Sequence, residues 1–111
     1  MITHIVLWKL IDDETHNAEE SAARIKRELE ALVGVVPGML TAEVARGMDP
    51  SAAYDLCLLS TFDTAESLKA YRTHPEHVKV AEFVHTAICG RTAFDFVNDN
   101  MIDASVDPYV L

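Results

Sequence analysis

The sequence predicts an α+β domain: one antiparallel sheet with helices on one of its faces. Three observations lead there. Four segments are rich in β-branched and aromatic residues, as strands are. Two intervening regions carry apolar residues at spacings of three and four behind helix-capping signatures. The segments alternate in the order β-α-β-β-α-β.

Residues 2–10, ITHIVLWKL, read as the first strand. Even positions carry Ile2, His4, Val6, Trp8 and Leu10, and odd positions Thr3, Ile5, Leu7 and Lys9. Both faces are largely apolar, which suits a strand covered on both sides. After the polar stretch Asp12 to His16, Asn17 followed by Glu20 fits a helix N-cap. Ala18, Ala22, Ile25, Leu29 and Leu32 then form one apolar stripe, with Arg24, Lys26, Arg27, Glu28 and Glu30 on the other sides. Gly34 is expected to cap the helix, and Pro37-Gly38 to turn the chain.

Residues 39–46 read as the second strand, with Leu40, Ala42 and Val44 on one face. Residues 47–51 are a loop, and residues 54–62, YDLCLLSTF, the third strand. Asp63 with Glu66 repeats the capping spacing ahead of a short helix through Tyr71. Pro75 suits the first position of a further helix, since its missing N–H costs nothing there. His74 becomes the N-cap, His77 falls in the first turn, and Val80, Phe83, Val84 and Ala87 form the buried side. Residues 88–97 complete the sheet. This order is the split βαβ pattern of the ferredoxin-like fold. The domain is expected over residues 1–97, followed by an acidic tail, 98–111, which either docks through Tyr109-Val110-Leu111 or frays.

Helices on one face leave the other face of the sheet open, yet its positions are apolar. A large apolar sheet face implies a partner, and the simplest is a second copy about a two-fold axis. A homodimer follows from the pattern alone.

The chain has 111 residues, enough for one core without metal or disulfide staples, and a net charge of −9. Nucleic-acid binding draws on cations that neutralise phosphates, so a chain this acidic is a poor candidate. The same charge disfavours anionic membrane surfaces. No apolar run approaches membrane-spanning length and no leader is evident, so the cytoplasm is the expected compartment. Cys57 and Cys89 are in no metal-like spacing and read as reduced, structural residues.

Several stretches together resemble the stress-responsive α/β-barrel (Dabb) family, which includes olivetolic acid cyclase-like proteins. They are His4-Ile5-Val6-Leu7-Trp8-Lys9-Leu10, Val36-Pro37-Gly38-Met39, Tyr54-Asp55-Leu56, Tyr71-Arg72-Thr73-His74-Pro75-Glu76-His77-Val78, Arg91, and Phe94-Asp95-Phe96. The resemblance covers residues 2 to 97 and is most specific in the Tyr-x-x-His-Pro-x-His-Val segment. It implies two ferredoxin-like subunits with their sheets face to face. In the plant cyclase, a first-strand histidine, the second histidine of His-Pro-x-His and a nearby tyrosine serve an aldol condensation. The positions that match are His4, His77 and Tyr71.

An aldol reaction needs a base beside a carbonyl and a donor for the oxygen that gains charge. The resemblance makes His77 the base, with Tyr71 and His4 orienting or donating. The implied function is a cofactor-independent, polyketide-cyclase-like lyase that binds a small, largely apolar ligand. The alternative is a non-catalytic stress-response dimer whose histidines are structural. In that alternative His74 only starts a helix, His77 packs or faces water, His4 is a satisfied core histidine and Tyr71 a core aromatic. A metal site from His74, His77 and His85 is disfavoured, because their spacing does not align three imidazoles on one helical face. A cavity of ~300 Å³ or more reaching His77 separates the two readings.

Overall fold

A computed structural model of the protein describes residues 1–98. The elements run β1 (Ile2–Leu10), α1 (Ala18–Glu30), β2 (Met39–Arg46), β3 (Leu56–Phe62), α2 (Ala65–Thr73), α3 (Pro75–Ala87) and β4 (Ile88–Val97). The strands form one antiparallel sheet in the order β2-β3-β1-β4. This is the ferredoxin-like arrangement, with the helices on one face. The expected acidic tail lies beyond the described residues apart from Asn98.

The helix-facing side of the sheet is the core. Ile2, Val6, Trp8 and Leu10 of β1 and Leu56, Leu58 and Phe62 of β3 are buried there. They meet Ala22, Ile25 and Leu29 of α1, Leu68 and Tyr71 of α2, and Val80 and Val84 of α3. The predicted stripes on α1 and α3 therefore face the sheet. Phe83 stays partly buried at the edge, where the Arg24 guanidinium lies 3.7 Å above its ring.

Capping follows local chemistry. The Asn17 side chain accepts from the Glu20 N–H at 2.9 Å, as the spacing predicts. Thr64, rather than Asp63, caps α2 by accepting from the Ser67 N–H at 3.1 Å. The His74 peptide is extended, and its Nδ1 accepts from the Glu76 N–H at 3.1 Å. One residue thus ends α2 and starts α3.

Three further expectations are corrected. α1 ends at Glu30 with Ala31 as its C-cap, and Gly34, with φ of +90°, lies beyond it in a separate turn. Leu40 does not share a face with Ala42 and Val44: the register shifts between Met39 and Thr41, so Met39 takes the core position and Leu40 is exposed. β3 begins at Leu56 rather than Tyr54, and beside its start the Leu10 N–H donates at 3.0 Å to the Asp55 carboxylate in place of a backbone carbonyl.

The edge strand β2 is covered by charge. Glu30 accepts from the Val44 N–H at 2.9 Å, and Lys26 donates to the Val44 carbonyl at 2.9 Å. These two side chains, themselves paired at 2.7 Å, occupy backbone groups that an edge otherwise offers to other strands.

Candidate functional site

His4, Tyr71 and His77 come from three elements and meet at one cavity between the sheet and the α2–α3 pair. Its volume is about 140 Å³. Val6, Trp8, Leu29, Leu58, Ala81 and Val84 supply its apolar wall, and Arg72, His85 and Arg91 its remaining polar lining. The volume is about half the ~300 Å³ set as the dividing line, although the cavity reaches all three residues.

Each side chain is held by a different constraint. Tyr71 sits near the end of α2 and is 2 % exposed. Its ring centroid is 4.0 Å from that of His77 and 6.2 Å from that of His4. Burial pushes the Tyr71 phenol well above its ordinary value, against the opposing field of Arg91. The phenol is thus a proton donor at neutral pH.

His77 is half-buried in the first turn of α3. Its Nδ1 lies 3.3 Å from the Arg72 carbonyl, which can only accept. The Nδ1–H therefore donates, and in the neutral ring Nε2 is the bare acceptor. Burial lowers the imidazolium below its ordinary value, the Arg72 carbonyl opposes that shift, and positive charge from His4, His74 and Arg91 adds to it. A neutral imidazole with one free nitrogen is the form a general base requires.

His4 is 4 % exposed. β1 pairs with β4 so that His4 lies opposite Asp95, and the His4 Nδ1–H donates to the Asp95 carboxylate. The other Asp95 oxygen accepts from Arg72 at 2.9 Å. A chain of contacts thus runs from Arg72 through Asp95 to His4, fixing the ring by its Nδ1 side. His74 stands apart as the helix cap. His85 does line the cavity, two turns beyond His77 on α3. Among the described residues, no group of three or more His, Cys, Asp or Glu is arranged to hold a metal ion.

Asp95 was missed as a candidate, although period two places it on the face opposite Phe94 and Phe96. The partner that gives it meaning, His4, is 91 residues away in sequence.

The sequence profile of the stress responsive A/B barrel domain, Dabb, matches residues 2–98. The chain belongs to the Dabb family. None of the curated proteins matches it in sequence. Among solved structures, a Bacteroides fragilis protein is 31 % identical, with a TM-score of 0.77 over 86 % of this chain and 93 % of that one. It is described as a dimeric protein of unknown function with a ferredoxin-like fold. A dimeric ferredoxin-like protein from Jannaschia is 19 % identical, with a TM-score of 0.73 over 86 % of this chain and 97 % of the other. Hydroxynitrile lyase from Passiflora edulis is 13 % identical, with a TM-score of 0.77 over 92 % and 96 %. At such identities the last two speak for the fold alone. The scaffold therefore occurs in a lyase as well as in proteins of unknown function, and by itself does not fix a chemistry.

Proposed function

We propose that this Dabb protein works as a homodimer that binds a small, largely apolar ligand in the cavity, and that His77 acts there as a base on the ligand. The polyketide-cyclase-like case is an aldol step: His77 Nε2 takes a proton beside a carbonyl, Tyr71 donates to the carbonyl oxygen, and His4 orients the ligand. No cofactor is needed, because both proton positions are supplied by side chains.

The observation that carries this reading is the unprotonated Nε2 of a half-buried His77, its ring centroid 4.0 Å from that of a phenol that keeps its proton, at the wall of an apolar cavity. Cavity size sets the scale of the ligand. An engineered cavity of about 150 Å³ holds benzene, so the ligand portion enclosed by one subunit is about the size of a single ring. The same modest volume favours the second reading, in which His4, Asp95 and Arg72 brace a non-catalytic dimer.

Dimerisation rests on the open sheet face. The β1–β3 and β1–β4 registers place Ile5, Leu7, Leu59, Phe94 and Phe96 together there. Phe94 is 67 % and Leu59 44 % exposed, too much apolar surface for a face left in water.

Acetophenone tests the base without knowledge of the natural ligand. Wild-type protein is expected to speed deuterium exchange of its methyl protons, followed by proton NMR. His77→Ala should lower that rate at least ~100-fold, the lower end for a positioned base. Equal exchange by wild type and variant sinks the assignment and leaves the structural reading.

A further inference from the structure

The cavity lining departs from the charge of the molecule as a whole. Asp and Glu outnumber Lys and Arg by 18 to 9. Yet the lining holds two arginines and three histidines, and no carboxylate among the described residues. The nearby carboxylate, Asp95, is already engaged by His4 and by Arg72 at 2.9 Å. Arg72 is therefore neutralised. Arg91 is different: among the described residues it has no carboxylate within ion-pair distance.

The position of Arg91 follows from the sheet. In the β1–β4 register Arg91 lies opposite Trp8, Ala93 opposite Val6 and Asp95 opposite His4. All three β4 residues share the helix-facing side, and all three are exposed. The cavity therefore opens toward β4, with the small Ala93 between the two charged residues. Arg91 stands at that opening and is close enough to weigh on the protonation of both Tyr71 and His77. Unpaired surface arginines are common and solvated. This one borders an apolar cavity, where an incoming ligand meets a guanidinium with no carboxylate partner among the described residues.

We propose that the cavity selects a small organic monocarboxylate, its apolar body packed against Trp8, Val6 and Leu58 and its carboxylate held at the mouth by Arg91. This rests on the reading of the cavity as a ligand site and adds the ligand's charge to it. A guanidinium presents paired N–H donors that match a carboxylate bidentately. One arginine without a carboxylate partner among the described residues matches one negative charge, and the acidic surface disfavours ligands carrying several. The ring-sized volume limits the apolar body to about six to eight carbons.

Benzoate and benzamide share shape and differ in charge, so they separate the two ideas. Each is titrated into full-length protein while the His77 and Tyr71 side-chain resonances are followed by NMR. Benzoate is expected to bind at least tenfold more tightly than benzamide. Arg91→Met should bring the ratio near one, and Arg91→Lys should keep most of it. Because Arg91 is exposed, both variants should melt where wild type does. Equal binding of the two compounds, or a benzoate preference that survives Arg91→Met, overturns the anion assignment while leaving the cavity as a ligand site. If neither compound shifts the two resonances, the ligand site itself is overturned and the proposal with it.

Discussion

His77 is governed by two influences acting on different parts of the ring. The Arg72 carbonyl fixes which nitrogen carries the proton, and burial disfavours the charged form. The sign of the pH dependence follows. A base must be neutral, so exchange catalysis should persist below 6.5, the ordinary histidine value, and fail only as pH drops through the lowered value of His77. Stability follows the same direction. The contribution of a neutral His77 is complete above the unfolded value and is lost as pH falls through the folded one. Asp95 acts on His4 instead. Asp95→Ala leaves a 4 %-exposed histidine without its acceptor and Arg72 without its partner. The expected loss is about 1.5–3 kcal/mol, read from urea denaturation. An unchanged midpoint would mean that solvent satisfies His4 without help.

Between elements, the α2–α3 junction decides where the site stands. Pro75 cannot donate a backbone hydrogen bond, and the residue before a proline is pushed out of the helical region. His74 is accordingly extended, with ψ of 132°. The break turns the chain so that the rings of Tyr71, near the end of one helix, and His77, at the start of the next, meet at 4.0 Å between centroids. The loop between α1 and β2 offers a sharper test, because two glycines there adopt left-handed conformations for different surroundings. A Cβ at Gly34, with φ of +90°, meets nothing within 4 Å. One at Gly38, with φ of +81°, comes 2.2 Å from Ser67 Oγ and 2.6 Å from Asp63 Oδ1. Gly34→Ala should cost about 1 kcal/mol, the backbone penalty alone. Gly38→Ala adds overpacking against the start of α2 and should cost about 3 kcal/mol. Equal costs, measured by thermal unfolding, would show that Ser67 and Asp63 move aside freely.

At the scale of the molecule, the two faces of the sheet have different tasks. The helix-facing side builds the core and the cavity, and the open side is the face that the proposed dimer covers. Phe94→Glu puts a charge on the most exposed aromatic of that open face without touching the cavity lining. Sedimentation velocity is expected to show a dimer for wild type at micromolar concentration and a monomer for the variant. A wild type already monomeric at that concentration would contradict the role given to Ile5, Leu59 and Phe94.

The sequence by itself determined the element order, the bounds of β1 and β4, the caps at Asn17 and His74, and the two-sided apolar character of the strands. Each depends on neighbours within a few residues, through side-chain period, capping chemistry or proline sterics. It also named His4, Tyr71 and His77, through a family resemblance rather than through local physics. The tertiary structure decided what those rules do not reach. The shift at Leu40 and the late start of β3, after Asp55, depend on pairing across the sheet. So do the placing of Asp95 opposite His4 and of Arg91 at the cavity mouth. Such contacts join residues far apart along the chain, and only the packing of the sheet and helices brings them together.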